Sequence, residues 1–198
     1  QFGPVQVNTS ASDYGMILNT PKPGWQGVNI ISELKQFTDL PIALDTDVNA
    51  AAFAELEYGA AQGLTDFLYL TIGTGIGGSA VANGKIVHGL LHPEIGHISI
   101  PHDLKADPFK GICPFHRDCF EGLASGPAIQ ARLKTSAESV SPSHPFWNLE
   151  AKYIAKVLAN LFFTLNSQRF ILGGGVMQQN FLFPKIRSEF VNAINNYY

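Results

Sequence analysis

Phe67-Leu68-Tyr69-Leu70-Thr71-Ile72-Gly73-Thr74-Gly75-Ile76-Gly77-Gly78 is an apolar run that stops abruptly in glycine. Its first six residues read as a strand. In the glycines that follow, bare backbone lets N–H groups approach phosphate oxygens closely, and the threonine hydroxyl adds a donor. A simple turn is the plainer alternative. The segment is not a Walker loop, because it lacks the Gly-Lys-Ser/Thr ending, and no helical pattern follows as a dinucleotide fingerprint would require. Instead, Ser79 to Val81 and Lys85 to Val87 flank Asn83-Gly84, a pair suited to the positive φ angles of a tight hairpin. The sheet therefore contains antiparallel pairs.

Outward from this segment, helical and strand patterns alternate. Residues 28 to 37 read as a helix, Ile42-Ala43-Leu44 as a buried strand, and Asn49 to Ala61 as an alanine-rich helix. Downstream, Leu149, Tyr153, Ile154, Val157, Leu158, Leu161, Phe162 and Leu165 recur at helical spacing, forming an apolar face for core packing or an oligomer interface. A strand from Arg169 to Leu172 runs into Gly173-Gly174-Gly175, and Pro184 opens a last helix that turns Ile186, Phe190 and Ile194 inward. Such alternation predicts an α/β fold in three layers.

Composition narrows the function classes. A chain of 198 residues, 45% hydrophobic and 15% charged, can bury a core of one large domain, or of one domain and part of another. A net charge of −3 offers no basic field for nucleic acid or for a polybasic membrane anchor. The amino end, Gln-Phe-Gly-Pro-Val-Gln-Val, has no signal-peptide pattern, and no apolar stretch is long enough to span a bilayer. A cytoplasmic protein with reduced cysteines is expected.

Open α/β sheets place ligands at strand ends, and three polar groups fall there. Asp45-Thr46-Asp47-Val48-Asn49 offers a carboxylate that could take a proton from a substrate hydroxyl, or could simply cap a helix. The glycine loop at 73 to 78 is the second. Leu172-Gly173-Gly174-Gly175-Val176-Met177 is the third, where a flat nucleoside could lie against bare backbone; three glycines in a row are hard to justify by packing alone. Separately, Cys113-Pro114-Phe115-His116-Arg117-Asp118-Cys119 sets a histidine midway between the only two cysteines. That spacing supplies three ligands of a tetrahedral zinc, with His97 or His102 as the fourth. A short-loop disulfide is the alternative.

Taken in order, these segments resemble the sugar kinases of the ROK family (repressor, open reading frame, kinase), and within it the bacterial fructokinase branch. The resemblance rests on Asp45 to Ala52, on Gly73 to Gly78, on His92-Pro93-Glu94-Ile95-Gly96-His97, on Cys113 to Gly122, and on Gly173 to Gly175. It implies an actin-like (ribonuclease H-like) two-domain fold of mixed sheets flanked by helices, with residues 1–62 a remnant of the smaller domain and 63–198 the larger one. It implies phosphorylation of a hexose, fructose foremost, by ATP with Mg²⁺, and a homodimer as the assembly. Asp47 would be the general base. Asn49, Glu94, His97 and Glu121 would bind sugar, while Thr74, Gly75, Gly126, Pro127, Gly173, Gly174 and Gly175 would bind the nucleotide. His97, Cys113, His116 and Cys119 would hold a structural zinc, leaving His102 an exposed loop histidine. Thr46 stands where the family more often has asparagine.

The family's amino-terminal Asp-x-Gly-Gly-Thr phosphate segment is missing, and Gln1-Phe2-Gly3-Pro4 resembles an internal point of the family sequence. The reading is therefore of a chain cut at both ends and poorly active as it stands. Two other readings remain: the sugar-sensing effector domain of a ROK repressor, and a non-catalytic, zinc-stabilised oligomerisation fragment.

Overall fold

The computed structural model describes residues 4–198; Gln1–Gly3, on which part of the reading of the amino end rests, lie outside the described residues. The centre is a four-stranded sheet in the order β3-β2-β1-β4, made of β1 (Phe67–Ile72), β2 (Ile76–Ala82), β3 (Lys85–Ile86) and β4 (Arg169–Gly173). β1 runs antiparallel to β2 and parallel to β4, so the sheet is mixed. The β2–β3 turn has both Asn83 (φ 51°) and Gly84 (φ 72°) in the left-handed region, as a two-residue hairpin with right-twisted strands requires.

Side chains of β1 alternate between two cores. Leu68, Leu70 and Ile72 point into the main core with Phe120, Leu123, Trp147 and Ile154, and all seven are fully buried. Burial of each such β1 side chain contributes about 1.5–3 kcal/mol. On the opposite face, Phe67 packs with Ala52, Ala61 and Val81 beneath α2 (Asp47–Tyr58). The main core is closed by α3 (Phe120–Ala124), α4 (Gly126–Leu133), the long α5 (Phe146–Leu165) and α6 (Leu182–Ile194). This is the three-layer arrangement expected, and the apolar face of α5 is spent on core packing rather than left for a partner. A third small cluster, Val5, Val7 and Ile17 with Ile30 and Leu44, gathers the amino-terminal segment.

Three local readings need correction. Ile42-Ala43-Leu44 is not a strand: the Leu44 N–H donates to the Tyr14 hydroxyl at 2.8 Å instead of to a neighbouring ladder. The helix expected over 28–37 is only α1 (Ile30–Leu34), capped by Asn29. Ile31 is its one buried residue and Phe37 is 84% exposed, so no apolar face supports further turns. The glycine loop is also shorter than the sequence suggests. β2 begins at Ile76, so Gly73–Gly75 form the tip of the β1–β2 hairpin, while Gly77 and Gly78 are strand residues whose missing Cβ atoms make room for Val48 and Leu70.

Candidate functional site

The site grows from the amino end of α2. Thr46, not either aspartate, is the helix cap: its side chain accepts from the Asn49 N–H at 3.1 Å. Asp47 therefore opens the helix with an exposed carboxylate, one oxygen of which accepts from the Val48 N–H at 3.0 Å. Asp45 is occupied differently. It accepts from the Thr46 N–H at 2.7 Å and from the Asn49 amide at 2.6 Å, and its other oxygen lies 3.0 Å from His88 Nε2. Asn49 is buried, with its amide committed to Asp45. Of the two aspartates, Asp47 is the one left open to solvent.

Glu94 lies close enough to Glu121 and Asp47 to feel both charges. Burial raises the Glu94 carboxyl above its ordinary range, and the charges of Glu121 and Asp47 raise it further. Glu121 is fastened to the glycine loop by accepting from the Ile76 N–H at 2.8 Å, and a Cβ on Gly75 would stand 2.9 Å from its carboxylate oxygen. The Glu-x-Gly-His element owes its glycine to the sheet: a Cβ at Gly96 would lie 2.0 Å from the Ile76 carbonyl oxygen. Ile76 thus holds Glu121 by its N–H and seats the Ile95–His97 turn against its carbonyl.

Thr74 and Gly75 are exposed at the hairpin tip. The Gly126 N–H donates to the Gly73 carbonyl at 2.7 Å, so the amino terminus of α4, with Pro127 in its first turn, abuts the same loop. Gly173–Gly175 end β4 alongside. Gly174 (φ 92°) answers to packing after all, because a Cβ there would sit 2.4 Å from the Ile72 carbonyl oxygen. At Gly175 a Cβ would meet nothing within 4 Å, which leaves open space above the backbone.

His97, Cys113, His116 and Cys119 come together, their donor atoms all within 4.8 Å of one another. His97 Nδ1 is 3.7 Å from Cys113 Sγ and 3.5 Å from Cys119 Sγ, and His116 Nδ1 is 3.8 Å from Cys113 Sγ. A tetrahedral metal with bonds of about 2.3 Å to sulfur and about 2.0 Å to nitrogen sets its ligands about 3.6 Å apart, so this donor set fits one. Both cysteines are free, which removes the disulfide alternative. Burial pushes the Cys119 thiol up to about 12, with Cys113 and Glu121 adding to the shift; a cation among the donors would oppose it.

His102 lies outside this cluster and is not an exposed loop histidine, its side chain being 3% exposed. Nδ1 meets Asp118 at 3.1 Å and Nε2 the Asp107 carbonyl at 3.0 Å. Asp107 also accepts from the Tyr153 hydroxyl at 2.7 Å and from Arg132 at 3.0 Å. Burial would raise the Asp107 carboxyl, but these hydrogen bonds and the Arg132 charge hold it below the usual range. The metal loop is thereby braced against α4 and α5. Sequence reasoning missed this brace, and it gave no role to His88 or to His92. The one available signal was the clustering of His88, His92 and His97 within ten residues.

No helix among the described residues is long and apolar enough to cross a membrane. The chain is 43% identical to a fructokinase of Lactococcus lactis subsp. cremoris over 196 residues, which is 99% of this chain and 67% of that protein. It spans about two thirds of the length of the fructokinases it matches. Its fold superposes on the ROK hexokinase of Thermus thermophilus with a TM-score of 0.79 at 27% identity, covering 98% of this chain and 67% of that one. A ROK family transcriptional regulator, a homolog of the E. coli MLC protein, shares the fold at a TM-score of 0.76 and 22% identity, covering 96% of this chain and 52% of that one. The fold is the actin-like fold of the ROK sugar kinases. The ROK family profile matches residues 1–198, and with that match over the metal loop, the glycine hairpin and the Glu94–His97 turn alike, the chain belongs to the ROK family.

Proposed function

We propose that the protein phosphorylates a hexose from ATP, with fructose the substrate and fructose 6-phosphate the product. The observation that carries this reading is the exposed Asp47 carboxylate, left free by the Thr46 cap, near enough to Glu94 to act on it by charge as Glu121 does, with Glu121 fastened to the glycine hairpin. The fructokinase relatives support the choice of sugar.

In this account Asp47 accepts the proton of the attacking sugar hydroxyl, which spares the reaction a free alkoxide. Glu94 and Glu121 accept from neighbouring hydroxyls and fix the ring, and His97 completes the sugar contacts, while Asn49, buried with its amide on Asp45, serves the sugar site by holding that carboxylate in place. Thr74, Gly75 and the amino end of α4 at Gly126 and Pro127 donate to phosphate oxygens. The backbone of Gly173, Gly174 and Gly175 accommodates the nucleoside. Mg²⁺, carried in on the phosphates, would offset their charge; among the described residues no second cluster of three or more metal donors gathers. Zinc, held by His97, Cys113, His116 and Cys119, would contribute rigidity to the loop beneath the sugar site, with no part in bond making.

Residues 1–62 are assigned to the smaller of two hinged units and 63–198 to the larger; the separate Val5–Ile17 cluster supports a distinct amino-terminal unit, while Ala52 and Ala61 pack on Phe67 and Val81 and so place α2 with the larger. A cytoplasmic homodimer is the expected assembly, with exposed Phe163, Val191, Tyr197 and Tyr198 as its candidate surface; a monomer mass in dilute buffer would count against it. The fold is shared with a ROK regulator, which keeps a sugar-sensing role as the second reading. The separating experiment is fructose-dependent ADP release by the full-length protein carrying this chain and by its Asp47→Asn variant. Loss of roughly 10²–10⁴-fold in kcat is expected for the variant. Equal turnover by the two would assign the base elsewhere, and sugar binding without turnover by the unaltered protein would favour the sensor.

A further inference from the structure

His92 has no part in the reaction as set out above, yet it is built into the site from both sides. Its side chain is only 5% exposed. Nε2 accepts the Val5 backbone N–H at 3.2 Å across 87 residues of sequence, and Nδ1 stands 3.6 Å from Glu94 Oε1. Val5 is itself fully buried, bridged to Ile17 and packed in the small amino-terminal cluster. Because Nε2 is the acceptor, the neutral ring carries its proton on Nδ1, the nitrogen nearer the glutamate; at 3.6 Å it stands just beyond hydrogen-bond distance of Glu94, and the Pro93 backbone also draws on the ring. Burial favours that neutral ring by lowering the His92 pKa. Pro93 limits the backbone between the two residues, so the ring's position and that of Glu94 are tied together.

We propose that His92 is a positioning residue for sugar recognition, using Nε2 to anchor on the amino-terminal segment and Nδ1–H to steer the Glu94 carboxyl toward the sugar. This rests on the sugar-kinase reading and deepens it. Glu94 needs such a partner: a carboxylate on a short exposed turn can swing away from the ligand, whereas a small turn of the carboxyl that closes the 3.6 Å gap to Nδ1–H gives one oxygen a donor and presents the other in a fixed direction. The anchor also makes the glutamate's placement depend on where the amino-terminal segment lies.

The two nitrogens can be separated by substitution. In His92→Asn the amide can stand where Nδ1 is and still donate to Glu94, but cannot reach Val5. His92→Gln can accept from Val5 through its longer arm but offers Glu94 no donor at the Nδ1 position. His92→Phe keeps the ring and loses both. Fructose affinity is read by calorimetry on the full-length protein and on each variant of it, with bound zinc counted by native mass spectrometry as an independent sign that the metal-bearing unit is folded. The expected result is a loss of about tenfold or more in affinity for Phe and Gln, with Asn recovering most of it and zinc at one per chain throughout. Three folded variants that bind fructose as the unaltered chain does would overturn the proposal. So would loss of zinc and of folded signal in all three, which would make His92 a structural anchor only. Should the unaltered chain bind another hexose and not fructose, the choice of fructose fails while the series, repeated with that hexose, still judges His92. Binding of no hexose at all would overturn both.

Discussion

Gly96→Ala is the smallest change that should disable the site. A Cβ at this position would be placed 2.0 Å from the Ile76 carbonyl oxygen and 2.9 Å from its carbon, whereas real Cβ contacts essentially never fall below 3.0 Å. Both atoms belong to a strand in the middle of the sheet, so the Ile95–His97 turn has to lift by about 1 Å. Glu94 precedes that turn and His97 ends it, and the Ile76 N–H that holds Glu121 lies on the same residue. Displacement by about 1 Å of groups that orient a substrate costs on the order of 10²-fold in rate. Under this account Gly96→Ala therefore loses about 10²-fold in kcat/KM for fructose and also binds zinc more weakly, since His97 moves with the turn. The assay is steady-state ADP release by the full-length protein, with zinc retention against a chelator measured in parallel. A variant near the unaltered protein in both readouts would show that the turn and the strand do not jointly hold the site.

Further predictions concern the metal and the core. Cys119→Ser should lose zinc and, through the Cys113–Cys119 loop, unfold the segment that carries Glu121; retention of one zinc per chain in native mass spectrometry would contradict the ligand set. Because burial holds the Cys119 thiol at about 12 without metal, zinc uptake must release its proton, so apparent affinity should rise with pH, by roughly tenfold per unit for each proton released. A pH-independent affinity would argue against the thiol as ligand. Glu150 on α5 is fully buried, neither carboxyl oxygen meets a partner among the described residues, and burial raises its pKa well above the ordinary range despite the nearby Arg132 charge. Its folded pKa exceeds its unfolded one, so its contribution to stability is fully present below the ordinary carboxyl range and is lost as pH rises toward the folded value. The loss amounts to about 1.4 kcal/mol per pH unit inside that window. Glu150→Gln does not titrate and should gain on the unaltered chain by that slope from about pH 5 upward; chemical denaturation showing a constant difference between the two would refute the assignment.

Much of this was legible in the residues, and the reasons differ from element to element. Apolar runs that stop in glycine located β1 and β4, and Asn83-Gly84 located the hairpin because its two positive φ angles demand those residue types. The metal loop was legible because three of its four donors lie within seven residues, and the fourth was narrowed to two histidines. What escaped depends on distant partners. Ile42–Leu44 has strand-like residues, but its hydrogen bonding goes to Tyr14, thirty positions away, and nothing in the local pattern says so. His102 looked like a loop residue until Asp118 and Asp107 enclosed it, and Asp107 meets Tyr153 across 46 positions. Glu150 was passed over because a charged residue on an amphipathic helix is ordinarily read as facing water. Gly174 corrects a narrower point: the reading that three glycines in a row are hard to justify by packing overlooked the backbone of Ile72, which leaves no room for a Cβ there.

The most direct measurement is a crystallographic difference map of the protein with fructose and a non-hydrolysable ATP analogue, collected at the zinc absorption edge. The account predicts sugar density between Asp47, Glu94 and Glu121, with the reacting hydroxyl within hydrogen-bond reach of Asp47, and an anomalous peak among His97, Cys113, His116 and Cys119. Sugar bound away from those three carboxylates, or no anomalous peak at the four donors, would contradict it.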